Sequence, residues 1–253
     1  IQLSKKLSEN IIFTSNGSLL TTEKIDKYVE AGLTHMEISI DAFEKEKLKE
    51  YRGVDLDHLY RIVLYISEKT PLRLQINSVV STENYHSLKG IVRTFKEAKN
   101  IKVWHTIPLF KTAQMHDQGI TPLNNKDYQN LLLSIEEEIK EEGLSWRVSP
   151  THFGVQLDPV IEMKRKHNIC FSCFDDPYIN VDGLFNFCPR QEYNAVVDIS
   201  VGFEKAWNHP ALLKFRKNML NGSYPRYCGM LCFLKDKSLD KKSEKDVFAG
   251  TNK

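Results

Sequence analysis

The chain has 253 residues, a size that suits one barrel-like domain or a domain with a small module attached. Hydrophobic residues make up 41% and charged residues 27%, and 35 Lys and Arg against 33 Asp and Glu give a formal charge of +2, ordinary globular values that argue against a dedicated nucleic-acid binder. No apolar run approaches the roughly 18 residues of a membrane span, and residues 1–6 carry no signal-peptide pattern, so a cytoplasmic protein without membrane contact is expected.

The first 150 residues alternate strand and helix signals. Ile11-Ile12-Phe13-Thr14 reads as a short buried strand closed by Ser15-Asn16-Gly17. Thr21-Thr22 can cap a helix whose apolar face is Ile25, Tyr28 and Val29, at i, i+3 and i+4. Ala31-Gly32 ends that helix as glycine often does. Residues 35–41 read as a second strand. Leu59, Ile62, Val63 and Ile66 make a second helical stripe, 72–80 a third strand, and Leu88, Ile91, Val92 and Phe95 a third helix. A fourth strand follows at 101–107, then a longer helix on Tyr128, Leu131, Leu132, Ile135 and Ile139, and a fifth strand at 144–148.

Repeated β-α units of roughly 30 residues imply parallel strands with helical crossovers. A partly closed barrel and an open doubly wound sheet both satisfy the pattern. In either, ligands gather at the C-terminal strand ends, which here carry Asn16-Gly17, Ser39–Asp41, Asn77-Ser78 and His105–Pro108. Turn and capping chemistry accounts for such residues equally well.

From Cys170 the texture changes. Residues 178–187 look like a β-hairpin turning at Asp182-Gly183, and 203–219 read as a helix. The Lys-, Ser- and Asp-rich tail from residue 236 is expected to be disordered. All five cysteines fall here: Cys170, Cys173, Cys188, Cys228 and Cys232, with none in the first 169 residues. An odd number without a signal peptide suits a metal or iron–sulfur site better than a disulfide framework. Four thiolates satisfy zinc or a [4Fe–4S] cluster alike, and a buried free thiol is the plain reading for the fifth.

The run Cys170…Val181-Asp182-Gly183…Cys188…Phe203-Glu204-Lys205-Ala206-Trp207-Asn208…Phe215-Arg216…Gly222…Cys228…Cys232 resembles the SPASM or shortened twitch module of radical S-adenosylmethionine (radical SAM) enzymes. Upstream, Thr14-Ser15-Asn16-Gly17, Ile38-Ser39-Ile40-Asp41 and Tyr51-Arg52-Gly53 resemble barrel motifs of that family. The resemblance covers about residues 11–233. It implies an α/β fold: a partial (β/α)6 barrel over 1–165, later strands only, then a small α+β cysteine-rich SPASM/twitch module over 166–235, then the tail 236–253.

The family's CxxxCxxC loop and Gly-Gly-Glu-Pro motif have no counterpart in these 253 residues, so the chain is expected not to generate the radical by itself, as a fragment that starts at the third barrel strand, the favoured reading, or as a degenerate member. In full-length relatives a barrel [4Fe–4S] cluster cleaves S-adenosylmethionine reductively, and the 5′-deoxyadenosyl radical abstracts hydrogen from substrate. The resemblance places Ser39 near the cofactor ribose with Asp41 supporting it, and offers Asn16 and Asn77 as further cofactor contacts. Arg52 could pair with an anionic ligand group or stand on a helix surface.

For the auxiliary [4Fe–4S] cluster the resemblance implies Cys188, Cys228 and Cys232. The fourth ligand is Cys170 or Cys173, with Cys170 preferred for its spacing before Cys188. S-adenosylmethionine and a second cluster are implied only with the upstream part. The implied partners are a peptide or small-molecule substrate and an electron donor such as flavodoxin or ferredoxin. A zinc-binding structural or interaction protein is the alternative. The substrate is not legible in the sequence.

Overall fold

Alternating side-chain polarity shapes the first sheet. In the computed structural model, β1 (Ile12–Ser15), β2 (His35–Ser39), β3 (Arg73–Val80), β4 (Ile101–Pro108) and β5 (Arg147–Pro150) form one parallel sheet in the order β1-β2-β3-β4-β5. The structure describes residues 1, 2, 4–6, 8–109, 121–150, 172–175, 177–187 and 197–223. It divides into two units, Ile1–Val155 and Gln156–Lys253. The boundary expected at 165 and the tail 236–253 lie outside the described residues.

Among the described residues the first unit has five α-helices: α1 (Thr22–Glu30), α2 (Lys45–Arg52), α3 (Leu56–Lys69), α4 (Gly90–Phe95) and α5 (Asn125–Glu141). Three start where a side chain accepts a backbone N–H: Thr21 from Lys24, Asp55 from His58 and Asn124 from Asp127. Such caps answer amides that the first turn leaves unpaired, worth about 1 kcal/mol each. The α3 stripe Leu56, Leu59, Ile62, Val63 and Ile66 is buried together with Met36, Ile38, Leu74, Ile76 and Trp104 of the sheet. Each of these side chains contributes about 1.5–3 kcal/mol relative to exposure.

Two expectations change. Helix α2 (Lys-Glu-Lys-Leu-Lys-Glu-Tyr-Arg) was not expected, because Leu48 is its one buried residue. It ends at Gly53 in the left-handed conformation, φ 67°, and Lys45 at its start pairs with Asp57 at 2.5 Å. The fifth strand lies at 147–150 rather than 144–148, with Leu144 and Trp146 spent on packing instead.

In the second unit, β6 (Tyr178–Ile179), β7 (Leu184–Asn186) and β8 (Val197–Asp198) form an antiparallel sheet. The expected hairpin turn is present. Asn180 Oδ1 accepts the amides of Asp182 and Leu184 at 3.0 and 2.9 Å, and Gly183 takes φ 77°, a conformation that side chains disfavour. The single helix expected over 203–219 is two, α7 (Phe203–Trp207) and α8 (Pro210–Leu220). Pro210 cannot donate to the preceding turn, so it starts a new helix instead, and His209 Nδ1 caps it by accepting from Ala211. A four-residue helix, α6 (Ser172–Asp175), carries Cys173 into a core with Phe185, Phe187, Val197, Ala206, Leu212 and Met219.

Candidate functional site

Parallel register sorts the strand residues into two faces. One face holds Met36, Ile38, Leu74, Ile76 and Trp104, all buried. The opposite face is a grid of polar groups. Thr14 lies opposite Glu37, Glu37 opposite Gln75, and Ser39 opposite Asn77. Asn77 in turn lies opposite His105, and His105 opposite Ser149. Ser39, Asn77, His105 and Ser149 therefore form one row across four strands, on the C-terminal side of the row that carries Glu37.

Glu37 organises this face. Its Oε2 accepts from Thr14 Oγ1 at 2.7 Å and from Asn77 Nδ2 at 2.9 Å, and its Oε1 from Gln75 Nε2 at 3.2 Å. Gln75 also donates to Asn77 Oδ1 at 2.7 Å. The Asn77 amide is thus held by both ends, in a fixed orientation. Ser39 is 9% exposed, and its hydroxyl has no hydrogen-bond partner among the described residues. Toward the N-terminal strand ends the face turns basic, with Arg73 Nη1 3.4 Å from His35 Nε2.

The four expected cofactor residues divide into two pairs. Ser39 and Asn77 meet as register partners on the open face. Asp41 and Asn16 hold loops. Asp41 is 7% exposed. Its Oδ1 accepts the Val79 amide at 2.7 Å, and its Oδ2 lies 2.5 Å from Arg52 Nε as an ion pair that lacks hydrogen-bond alignment. Asn84 Nδ2 donates to the Asp41 and Val79 carbonyls at 2.9 and 2.7 Å. Asn16 Nδ2 donates to the Arg52 carbonyl at 3.1 Å, and Asn16 Oδ1 accepts from the Ser18 amide and hydroxyl. One string of hydrogen bonds and an ion pair therefore ties the C-terminal ends of β1, β2 and β3. Arg52 is neither a free ligand contact nor an idle surface residue; it is the partner of Asp41. Gly17 closes the turn after β1 at φ 81°, where a Cβ would stand 2.5 Å from Leu59 Cδ1.

Glu37 and Gln75 were not singled out in the sequence, whereas Thr14 and His105 were named there only as part of a motif and of a strand end. The signal was present as strict alternation: His35-Met36-Glu37-Ile38-Ser39 and Arg73-Leu74-Gln75-Ile76-Asn77 place every polar residue on one face.

Of the cysteines, the structure describes Cys173, which is buried; Cys170, Cys188, Cys228 and Cys232 lie outside the described residues. Among the described residues no three His, Cys, Asp or Glu side chains converge as a metal site, and no helix is long and apolar enough to cross a membrane.

No family model matches the chain. It is 24% identical over 169 residues to an AdoMet-dependent heme synthase of Nitratidesulfovibrio vulgaris, covering 57% of this chain and 45% of that one. A protein of the same name from Oleidesulfovibrio alaskensis is 26% identical over 182 residues, covering 61% of this chain and 45% of its own length. A probable GTP 3′,8-cyclase of Sulfurisphaera tokodaii is 28% identical over 160 residues, covering 60% and 48%. The chain thus spans about half the length of the curated relatives it matches. In three dimensions it is similar to SuiB of Streptococcus suis, crystallised with S-adenosylmethionine: the TM-score is 0.61 at 13% identity, over 88% of this chain and 52% of that one. That likeness is one of fold.

Proposed function

Because this chain is a relative of radical S-adenosylmethionine enzymes, we propose that its parallel sheet is the later part of an S-adenosylmethionine-binding barrel. We propose with it that the second unit is a SPASM or twitch module with an auxiliary [4Fe–4S] cluster. The observation that carries the reading is the polar row Ser39, Asn77, His105 and Ser149 on the open face of a parallel sheet whose other face is apolar and buried. A sheet that needed only to be stable would have no use for an oriented amide beside an available hydroxyl. In this reading Ser39 and Asn77 contact the cofactor directly. Asp41 and Asn16 act one step back, by fixing the loops around it.

The auxiliary cluster takes Cys188, Cys228 and Cys232 with one of Cys170 and Cys173. The neighbourhood of the one described cysteine suits such a group: the buried Arg216 guanidinium beside Cys173 has an Nη2 with no hydrogen-bond partner among the described residues, which an anionic centre would answer. In the whole enzyme, S-adenosylmethionine and its reducing cluster supply a 5′-deoxyadenosyl radical for hydrogen abstraction from a peptide or small polar molecule. Flavodoxin or ferredoxin is the electron donor of this reading. A zinc knot satisfies the thiolate count, but the relatives' names do not favour it.

The test is anaerobic reconstitution of the 253-residue chain with iron and sulfide. A brown protein with about four irons per chain is expected, and no 5′-deoxyadenosine should form from S-adenosylmethionine under strong reductant. Grafting the preceding barrel strands and CxxxCxxC loop of a relative should restore cleavage. A colourless protein that keeps zinc and refuses iron would overturn the cluster assignment. Measurable 5′-deoxyadenosine from the 253 residues alone would overturn the account of where the radical arises.

A further inference from the structure

Arg216, on α8, is 8% exposed. Its guanidinium carbon lies 4.4 Å from the centre of the Phe187 ring and 4.0 Å from that of Trp207. Nε donates to the Cys173 carbonyl at 2.8 Å and Nη1 to the Trp207 carbonyl at 2.7 Å. Nη2 is buried and has no hydrogen-bond partner among the described residues. Among the described residues no carboxylate pairs with this cation.

Two carbonyl dipoles and two ring faces soften the burial of a full positive charge, but they do not neutralise it. A buried cation in a stable protein is ordinarily matched by an anion that also takes its remaining N–H groups. Phe187, one of the two rings that clamp Arg216, directly precedes Cys188 in the sequence, and Nε is fixed to Cys173. One wall of the guanidinium slot and the acceptor of its Nε therefore belong to cysteine-bearing segments. The cation's ordinary pKa is pushed down by burial, and Cys173 acts against that shift.

We infer that Arg216 is the buried counter-cation of an anionic thiolate-ligated cluster in the second unit, with Nη2 donating to a sulfur and its charge raising the reduction potential of that cluster. This rests on the cluster reading above and adds a positioning and tuning residue to it. Hydrogen bonds to the sulfurs and nearby charge are among the factors that set cluster potentials. A fixed positive charge favours the more reduced, more negative state.

The test uses the reconstituted 253-residue chain. In Arg216→Met the charge is lost while much of the packing volume is kept. Its midpoint potential should fall by the equivalent of a tenfold change in the redox equilibrium, about 59 mV for one electron. Arg216→Lys keeps the charge and should move it by less than half as much. A second measurement needs no variant: with ¹⁵N-arginine in the parent, pulsed EPR of the reduced cluster should show a nitrogen coupling. An unchanged potential in Arg216→Met, or a loaded parent without that coupling, overturns the role of Arg216 and leaves the cluster reading standing. A parent that takes up no iron overturns both.

Discussion

Replacing Asp41 with Ala separates a loop-holding carboxylate from one reserved for a ligand. The substitution removes the acceptor for the Val79 amide, held at 2.7 Å, and the counter-charge for Arg52 Nε. An orphaned amide in a partly buried strand is worth about 1–3 kcal/mol. The Arg52 side chain is 27% exposed, so the lost ion pair adds about 1 kcal/mol rather than the several expected of a fully buried one. The sum is a destabilisation of about 2–4 kcal/mol. Asp41→Asn keeps an acceptor for Val79 and loses only the charge, so about 1 kcal/mol is expected. Urea unfolding, followed by the emission of the buried Trp104, reads both. The midpoint should fall with an unchanged slope, further for Ala than for Asn. Hydrogen exchange at the Val79 amide should quicken alongside. An Asp41→Ala protein with the parent's midpoint and a protected Val79 amide would refute the loop-holding role.

Two further expectations concern burial and thiolates. Tyr128 is buried with its hydroxyl donating to the Thr106 carbonyl at 3.0 Å. Burial pushes its pKa up to about 12, against a smaller lowering from Thr106. Its folded value lies above the unfolded one of about 10. The associated stability is therefore complete below about pH 10 and is lost as the pH rises toward 12, amounting to about 2–3 kcal/mol. Tyr128→Phe should flatten this alkaline decline in pH-dependent unfolding, at a neutral-pH cost of about 1 kcal/mol; an undiminished decline would assign it to another group. Among the cysteines, Cys188→Ala and Cys170→Ala should each lose iron from the reconstituted chain. Cys173→Ala should keep its iron and lose about 1–2 kcal/mol of stability, as a small buried hydrophobe does. Iron analysis with the opposite asymmetry would make Cys173 the ligand.

Sequence reading succeeds where burial follows a period. The helix stripe Leu59, Ile62, Val63 and Ile66 and the strand at 72–80 were legible because packing against one apolar face writes itself as spacing. Helix α2 was not, because one Leu among eight residues leaves no stripe, and what fixes it lies in tertiary contacts of Lys45 and in the φ of Gly53. The Phe203–Met219 stretch has continuous helical spacing, yet Pro210 divides it, a local veto that periodicity does not register. At the site, Ser39 and Asn77 came from motif likeness, and their adjacency came from register. Asp41 and Arg52 were both picked out, but their pairing was not, because ten residues of chain lie between them and only the fold closes that gap.

The first sheet keeps its strands in chain order, each pairing with the next. Every backbone ladder of these five strands is therefore local to one β-α unit and its successor. A sheet wired in this way is severable. Cutting the chain in any connection between strands interrupts covalent continuity but no pre-existing rung elsewhere, and the cut pieces present complementary strand edges to one another. Complementation between separately expressed halves follows as a property of the wiring. Among the described strands, β1 pairs on one side only, with β2, so its other edge ends the sheet.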